Sequence, residues 1–249
     1  MSGLQTSEKL AIVIPIYNEK ENVKELIPKL KETASKLPCK TQIFLIDDRS
    51  RDGTYKLLKS LITNDPLFKL YQRSGRRNRG LTVIYGMKIA LLSDPDYILE
   101  MDADLSHDPR FIEDFYKKIS RSAKIHVVLG SRFLETSDFQ NRPWFRNLIT
   151  FGSIKFIQFY FKMPFSDPNL LFRCYRASIL KKLLPLLLTS DPRELTIKAY
   201  YFGFTIEEIP IIYRERTKGR SKFGFFALTK ALRAMVFVRR NLENLAKKA

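Results

Sequence analysis

The sequence predicts an α/β fold, in which a mostly parallel sheet is flanked by helices, and three observations point to it. Short apolar runs alternate with amphipathic stretches through the first half of the chain, as they do in doubly wound sheets. The composition, with 45% apolar and 28% charged residues, is that of an ordinary globular protein. A length of 249 residues suits one such domain with at most a short appendage.

Buried strands and amphipathic helices alternate along this first half. Apolar runs predict strands at Leu10–Ile16, Gln42–Ile46, Tyr97–Met101 and Ile125–Leu129. Apolar residues at helical spacing predict helices at Glu21–Lys36, Thr54–Thr63, Leu81–Leu92 and Phe111–Ser120. Since such sheets bind ligands at the carboxyl ends of their strands, the polar residues that follow each strand are the first candidates for a functional site.

The second half is richer in basic and aromatic residues. Its pattern predicts a polar loop at Ser131–Arg142, an aromatic-rich helix at Trp144–Met163, a strand at Leu170–Tyr175, two helical segments, a strand at Ile206–Tyr213, a basic loop at Arg214–Lys222 and a final helix from about Phe223.

The charge of the chain is strongly basic and unevenly distributed. The formal net charge is +18; residues 1–124 carry 22 basic and 17 acidic side chains, whereas residues 125–249 carry 22 and 9. Such a surface predicts nucleic acid, an anionic membrane or a phosphorylated substrate as partner, with a merely solvated basic face as the alternative.

Neither cysteine usage nor hydropathy indicates export or membrane insertion. Cys39 and Cys174 are too few for a disulfide framework or a cysteine metal cluster. The N-terminal residues lack the apolar core of a secretory signal, and the apolar stretches 147–165 and 225–238 are interrupted by lysine or arginine. We therefore expect a cytoplasmic protein that meets lipid only from the surface.

Acidic residues follow two of the predicted strands. Asp102-Ala103-Asp104 comes directly after an apolar strand, where alternate carboxylates can face one Mg²⁺ or Mn²⁺ that also holds substrate phosphates. Asp47 and Asp48 follow the second strand, where they could accept hydrogen bonds from a base or ribose. Capping of the helix or turn that follows is the alternative for each group.

Basic residues of the second half are candidate phosphate ligands, because arginine forks match phosphate oxygens geometrically. The candidates are Arg132, Arg146, Arg216, Lys218, Arg220 and Lys222. The histidines, His107 and His126, belong to no Ser/His/Asp or Cys/His arrangement in the sequence, so a covalent enzyme intermediate has little support.

Six motifs occur in a fixed order along the chain. They are IVIPIYNEKENV, LIDDRSRDGT, RGLTVIYGMKIAL, MDADLSHDP, GSRF and RERTKGRSKFG. Together they resemble the dolichol-phosphate mannose synthases, which are inverting glycosyltransferases with the Rossmann-like GT-A fold. The resemblance covers Leu10 to Gly224, and it is more specific for the GT-A family than for its polyprenyl-phosphate branch. It implies transfer of a sugar, mannose from GDP-mannose in the first place, with inversion onto a polyprenyl or dolichyl phosphate.

The resemblance also implies roles for individual residues. The nucleotide would be contacted by Pro15, Tyr17, Glu19, Asp47, Asp48, Asp102 and Ala103, and its phosphates by Arg216 and Lys222. Mg²⁺ or Mn²⁺ would be held by Asp102, Asp104 and Ser106, and the acceptor phosphate by Arg132 and Arg146. Asp104 and Arg132 would be the catalytic residues.

The chain departs from the family's pattern at three places. Leu170-Leu171 stands where relatives carry a glycine-containing turn, Glu194 is out of register with their glutamate, and Arg49 replaces a small or acidic residue. A lipid phosphate is already an anion that can attack the sugar directly, so the mechanism implied needs positioning and charge stabilisation rather than a strong base.

The expected organisation is a GT-A catalytic domain at 1–224, with a nucleotide-sugar half at about 8–130 and an acceptor half at 131–224, followed by a basic amphipathic helix at 225–249. Aromatic residues beside lysines and arginines predict interfacial helices on the cytoplasmic face of an anionic membrane, where a membrane-anchoring partner subunit would suit the chain. These residues are Phe151, Phe156, Phe159, Tyr160, Phe161, Phe225, Phe226, Met235 and Phe237. Packing of the same aromatics on the sheet is the alternative.

Other functions stay open at this point. The same fold could use a UDP-sugar donor or a non-lipid acceptor, and the departure at Leu170-Leu171 leaves an inactive scaffold as an alternative. A nucleic-acid-binding protein would suit the charge alone. No nucleic acid partner is expected, because the sequence has no known reading motif and its acidic strand ends would repel a phosphate backbone.

Overall fold

The computed structural model describes residues 7–134, 144–213 and 233–242, and the strands in these residues form one seven-stranded sheet. The strands are β1 (Lys9–Ile16), β2 (Lys40–Asp47), β3 (Phe68–Gln72), β4 (Tyr97–Glu100), β5 (Val127–Ser131), β6 (Arg173–Arg176) and β7 (Ile206–Pro210). The helices are α1 (Lys20–Lys36), α2 (Thr54–Leu61), α3 (Arg79–Leu91), α4 (Ile112–Ser120), α5 (Trp144–Phe161), α6 (Ala177–Leu183), α7 (Arg193–Tyr201) and α8 (residues 233–242).

The strand order confirms the predicted mostly parallel sheet and identifies the place where a ligand can bind. The order is β3-β2-β1-β4-β6-β5-β7, and neighbouring strands run parallel except for β6, which is antiparallel to both β4 and β5. Strands β2 and β3 extend the sheet on one side of β1, and β4 begins the other side. In open sheets of this kind, ligands bind at the carboxyl ends of the strands beside such a switch point.

The sheet opens at this point because β1 and β4 pair over only part of their length. β1 pairs with β2 over Lys9–Ile16, but with β4 only over Leu10–Val13. The Met101 N–H donates to the carbonyl of Val13 at 3.2 Å. The main-chain groups of Pro15, like those of Val13, are directed toward β4, but proline has no N–H that could continue the hydrogen bonds between the two strands. The chain after β4 can therefore turn away from β1.

Both faces of the sheet are covered by helices. On β1, Ile12 and Ile14 belong to a core cluster that includes residues of α1 and α4, whereas Ala11 and Val13 belong to a cluster on the opposite face with α3, α6 and α7. The approach of α3 is close, since a Cβ on Gly86 would lie 2.5 Å from a methyl of Val13. Burial on both faces explains why the strand reads as a continuous apolar run.

The structure contains one strand that the sequence analysis does not predict. β3 lies at the edge of the sheet with the sequence FKLYQ, and only Phe68 of its five residues is buried. A half-exposed edge strand leaves no apolar run to detect. β6 begins at Arg173 rather than Leu170, because Leu170 belongs to the turn that precedes the strand.

The aromatic residues assigned to a membrane surface divide between the core and the solvent. On α5, Phe161 is only 5% exposed while Phe159 is 87% exposed, and Phe156 stacks on Tyr160 against the core. On α8, Met235 is buried. The surface assignment is therefore wrong for Phe161 and Met235, because one side of each helix packs against the core of the domain. Phe225 and Phe226 lie outside the described residues.

Candidate active site

A cavity of about 490 Å³ lies at the carboxyl ends of β1 and β2. It is lined by Tyr17, Asn18, Asp48, Arg49, Arg51, Gly75 and Arg77. The Arg77 guanidinium lies 4.5 Å from the centre of the Tyr17 ring, a cation–π contact at the mouth of the cavity. The cavity therefore combines a buried carboxylate with aromatic and cationic surfaces.

The turns after β1 and β2 are joined by hydrogen bonds. The Asn18 N–H donates to Ser50 Oγ at 2.9 Å, and the Arg51 N–H donates to Asn18 Oδ1 at 2.8 Å. The Glu19 N–H donates to Thr54 Oγ1 at 3.0 Å. Asn18 adopts a left-handed backbone conformation, with φ of 55°. Asparagine tolerates that conformation better than most residues, which suits it to this turn.

The two acidic residues after β2 are buried and bonded to neighbouring chain segments. Asp48 accepts hydrogen bonds from Arg73 Nη2 at 2.6 Å and from the Asn78 N–H at 2.8 Å. Asp47 accepts from Gln72 Nε2 at 2.9 Å through Oδ2. Its Oδ1 is buried and has no hydrogen-bond partner among the described residues. Carboxylate oxygens carry further lone pairs, so Asp48, which lines the cavity, can also accept a bond from a nucleoside, whereas Asp47 is completely buried.

The Asp102-Ala103-Asp104 turn follows β4 at the switch point. Ser106 Oγ donates to Asp104 Oδ1 at 2.5 Å, and the Ser106 N–H donates to the same oxygen at 3.1 Å. Leu105 has a φ of 63°, which is strained for a large side chain. Ala103 is buried and leaves room for the two carboxylates on either side of it. The turn thus presents carboxylate and hydroxyl oxygens in a constrained loop.

His107 holds this turn in place and is not available as a base. Its Nδ1 accepts the Asp102 N–H at 2.9 Å, so the ring proton of the neutral histidine lies on Nε2. The ring stacks on Phe172 with centres 4.8 Å apart. Burial lowers the pKa of His107, although the carboxylates of Asp102 and Asp104 oppose the shift. The histidine therefore orients the backbone of the turn.

Arg79 is a site residue that the sequence analysis does not single out. Its Nε and Nη2 donate to Asp102 Oδ1 at 2.9 and 2.5 Å, and Nη2 lies 3.3 Å from Glu100 Oε1. Burial acts to lower the pKa of Arg79, but Asp102 and Glu100 raise it above its usual value. Burial also raises the pKa of Glu100 to about 7, against the opposing effect of Arg79. The sequence offered one signal for Arg79, namely an arginine followed by a glycine directly before the helix predicted at Leu81–Leu92.

Arg132 is held in place by a buried carboxylate, that of Asp167. Its Nε and Nη2 donate to Asp167 at 2.6 and 3.0 Å, and Asp167 itself is completely buried. Glu208 Oε1 accepts the Asp167 N–H at 3.1 Å, which ties the turn to β7. The Arg132 guanidinium also lies 5.2 Å from the centre of the Tyr213 ring. Its fork is thus fixed by the protein before any ligand binds.

The remaining predicted residues are only partly described. Pro15 is buried within β1, and Tyr17 and Glu19 lie in the turn that follows. Arg146 lies in α5, but its side chain is outside the described part of the structure. Arg216 and Lys222 lie outside the described residues altogether. The structure therefore describes the site at the turns after β1, β2 and β4 and at Arg132.

The oxygen atoms at the switch point fit a divalent cation whose remaining coordination positions are filled by a bound substrate. Asp102, Asp104 and Ser106 offer hard oxygen atoms of the kind that Mg²⁺ and Mn²⁺ prefer. Within the described ranges, no group of three or more histidine, cysteine or carboxylate side chains is placed to hold a metal. Such ions commonly use one or two carboxylates together with substrate phosphates. The residues fit that kind of site rather than a structural metal centre.

Comparison with known sequences identifies the family. Residues 11–184, which are more than half of the chain, match Glycosyl transferase family 2. The chain belongs to this family. As a family member it is a glycosyltransferase, and the matched segment contains the acidic turns, Arg79, Arg132 and Asp167.

Two curated relatives of this family 2 enzyme are similar over different lengths. The polyprenol monophosphomannose synthase of Mycolicibacterium smegmatis is 26% identical over 226 residues, covering 89% of this chain and 83% of the relative. The dolichol-phosphate mannosyltransferase of Pyrococcus furiosus is 32% identical over 146 residues, covering 59% of this chain and 39% of the relative.

A solved structure confirms the GT-A fold of the family 2 chain. The glucosyl-3-phosphoglycerate synthase of Mycobacterium tuberculosis, in complex with Mn²⁺, UDP and glucosyl-3-phosphoglycerate, matches with a TM-score of 0.63. The match covers 94% of this chain and 77% of that one at 12% sequence identity. The agreement at so low an identity concerns the fold alone.

Proposed function

We propose that the protein transfers mannose from GDP-mannose, with inversion, onto a polyprenyl or dolichyl phosphate at a membrane surface. The names of the two curated relatives support mannose as the sugar and a polyprenyl or dolichyl phosphate as the acceptor. Inversion agrees with the chemistry of the family. The residues of the cleft give further support, one step at a time.

The observation that carries the proposal is the position of Arg132 beside the carboxylate turn. Tyr213 lies between them, with its ring 5.2 Å from the Arg132 guanidinium and 6.4 Å from the His107 ring. His107 in turn accepts the Asp102 N–H. An arginine held in place next to a turn of carboxylates suits a reaction that joins two phosphate-bearing ligands, because the arginine can donate to one phosphate and the turn can hold a divalent cation for the other.

The absence of a suitably placed base among the described candidates favours an acceptor that is already an anion. Glu194 is completely buried, and its oxygens accept the N–H groups of Leu188 and Thr189 at 2.7 and 2.8 Å. It also pairs with Lys198 at 2.6 Å. His107 is engaged by Asp102. Neither group is placed to take a proton from a hydroxyl, whereas a phosphate monoester needs no such step.

The proposed division of roles follows the halves of the cleft. We assign the base and ribose to Tyr17, Glu19, Asp47 and Asp48, the divalent cation to Asp102, Asp104 and Ser106, the acceptor phosphate to Arg132 and Arg146, and the donor phosphates to Arg216 and Lys222. A bound Mg²⁺ or Mn²⁺ would neutralise charge on the leaving diphosphate. The domain bounds at 1–224 and 225–249 belong to the same proposal.

Part of α5 offers a surface suited to an anionic bilayer. Leu148, Lys155 and Phe159 recur at helical spacing along one side, and all three are exposed, as is Lys162 just after the helix. An exposed aromatic residue flanked by lysines is typical of helices that lie at a lipid interface. No helix in the described ranges is long and apolar enough to cross a membrane. The cytoplasmic face and an anchoring partner subunit stay predictions.

The proposal is tested by transfer of radiolabelled sugar into the organic phase. Purified protein is mixed with a polyprenyl phosphate and Mn²⁺ or Mg²⁺, and GDP-mannose and UDP-glucose are offered in parallel. We expect label in the lipid extract from GDP-mannose alone. Label from UDP-glucose alone would change the donor, and no label from either, with folded protein, would overturn the proposal.

A matched pair of variants tests the site in the same assay. Asp104→Asn should reduce transfer at least about a hundredfold, because the ligand set at the switch point loses a carboxylate. Asp94→Asn removes the same charge from an exposed residue that pairs only at the surface with Lys181 at 2.9 Å. Equal rates for the two variants would contradict the cation assignment.

A further inference from the structure

Arg79 is a cation that is already bonded to one carboxylate of the proposed divalent-ion site, that of Asp102. Both of its donated hydrogen bonds to Asp102 converge on one carboxylate oxygen, at 2.9 and 2.5 Å. The same Nη2 lies 3.3 Å from Glu100, whose side chain is completely buried. The charge of Asp102 is therefore compensated by the protein itself in the structure described.

The main chain at Arg79 leaves little freedom to move this cation away. The preceding residue, Asn78, caps α3 by accepting the Leu81 N–H at 3.1 Å and also donates to Ser190 Oγ at 3.1 Å. The following residue, Gly80, lies against the Ser190 carbonyl so closely that no Cβ could be accommodated. The backbone of Arg79 is thus fixed on both sides, while its side chain remains 36% exposed.

We propose that Arg79 acts as an internal counter-cation, which makes tight binding of the divalent ion depend on the donor diphosphate. An ion that approaches Asp102 alone meets a positive charge within a few ångströms and is repelled. A diphosphate brings negative charge that attracts both the divalent ion and the Arg79 guanidinium, so the ion and the nucleotide each strengthen the binding of the other. The inference rests on the cation and donor site of the proposed function.

The test measures Mn²⁺ binding by electron paramagnetic resonance, without acceptor and without turnover. The full chain is titrated with Mn²⁺ alone and with saturating GDP or UDP, for the wild type and for Arg79→Gln. Binding of two ligands is coupled reciprocally, and coupling factors commonly lie between about 5-fold and 150-fold. We expect Arg79→Gln to bind Mn²⁺ alone at least about tenfold more tightly than the wild type, and the nucleotide to strengthen Mn²⁺ binding much less in the variant.

Arg110→Gln is the matched control for the loss of one positive charge. Arg110 is 72% exposed on its side chain and pairs with Asp108 at 2.7 Å, outside the proposed ligand set. We expect the control to bind Mn²⁺ like the wild type in both conditions. If it gained affinity as much as Arg79→Gln, the effect would come from net charge and the proposal would be overturned.

Further variants keep the test decisive. Arg79→Lys retains the charge and should keep the wild-type dependence on the diphosphate, and Arg79→Met replaces Arg79→Gln if that variant does not fold. Mn²⁺ affinity that is unchanged or weaker in the uncharged variant would overturn the proposal and leave Arg79 as a residue that only orients Asp102. The readout needs no lipid product, so failure of the proposed transfer activity would be seen separately.

Discussion

Arg132 depends on one buried carboxylate for its position, and the consequence can be measured at the level of this pair. Asp167 and Arg132 have side chains that are 0% and 7% exposed, and their closest contact is 2.6 Å. Replacing Asp167 by asparagine leaves a buried guanidinium without its charge partner. We expect Asp167→Asn to lower the free energy of unfolding by about 3–5 kcal/mol, measured by urea denaturation.

The surface pair Glu113–Lys117 is the matched control for this measurement. Its contact of 2.7 Å is nearly as short, but the lysine and glutamate side chains are 63% and 37% exposed. Glu113→Gln should cost at most about 1 kcal/mol, because solvent screens the charges. A double variant with apolar side chains at positions 132 and 167 should lose less stability than Asp167→Asn, yet should transfer no sugar. Near-wild-type stability of Asp167→Asn would show that the pair does not anchor Arg132.

The fold could be predicted where it depends on local patterns of apolar residues. The site could be predicted only in part. The apolar strands end in acidic turns at Asp47 and Asp102, so their place at one edge of the sheet follows from the strand pattern. The partners of these turns come from distant segments, as in the pair of Arg79 with Asp102 or of Arg132 with Asp167. The periodicity of apolar residues does not predict contacts between distant segments. For the same reason it does not predict that β6 runs antiparallel to its neighbours β4 and β5.

The packing of α3 onto the sheet provides a prediction for a whole element. In an exposed helix, alanine is more favourable than glycine by about 1 kcal/mol. A Cβ on Gly86, however, would lie 2.5 Å from Val13 and 2.8 Å from Ile46. We expect Gly86→Ala to destabilise the protein by about 1–3 kcal/mol in thermal or urea unfolding, because α3 must move away from β1 and β2.

Gly152 in α5 is the control for helix propensity. It is exposed, and a Cβ there would meet nothing within 4 Å. Gly152→Ala should therefore stabilise the protein by about 0.5–1 kcal/mol. If both substitutions changed stability in the same direction, close packing of α3 would not be the cause.

For the whole molecule, the uneven charge and the exposed side of α5 both suit the proposed binding to an anionic membrane. The C-terminal half carries most of the excess of basic over acidic residues, and Phe159 is 87% exposed, with exposed Lys155 one turn before it and exposed Lys162 just after the helix. Anionic lipid would attract such a surface, and the aromatic ring could then enter the interface. Attraction and insertion are separable, because only the first is screened by salt.

Binding to vesicles distinguishes this face from exposed apolar surface in general. Phe159→Ser should reduce the bound fraction on phosphatidylserine-containing vesicles about tenfold, since burial of one phenylalanine contributes about 1.5–3 kcal/mol. Leu92→Ser removes a side chain that is 82% exposed at the end of α3 and should bind like the wild type. Cosedimentation at low and high salt measures both. Equal losses for the two variants would mean that lipid binding uses no particular face, and α5 would then be an ordinary helix with one exposed phenylalanine.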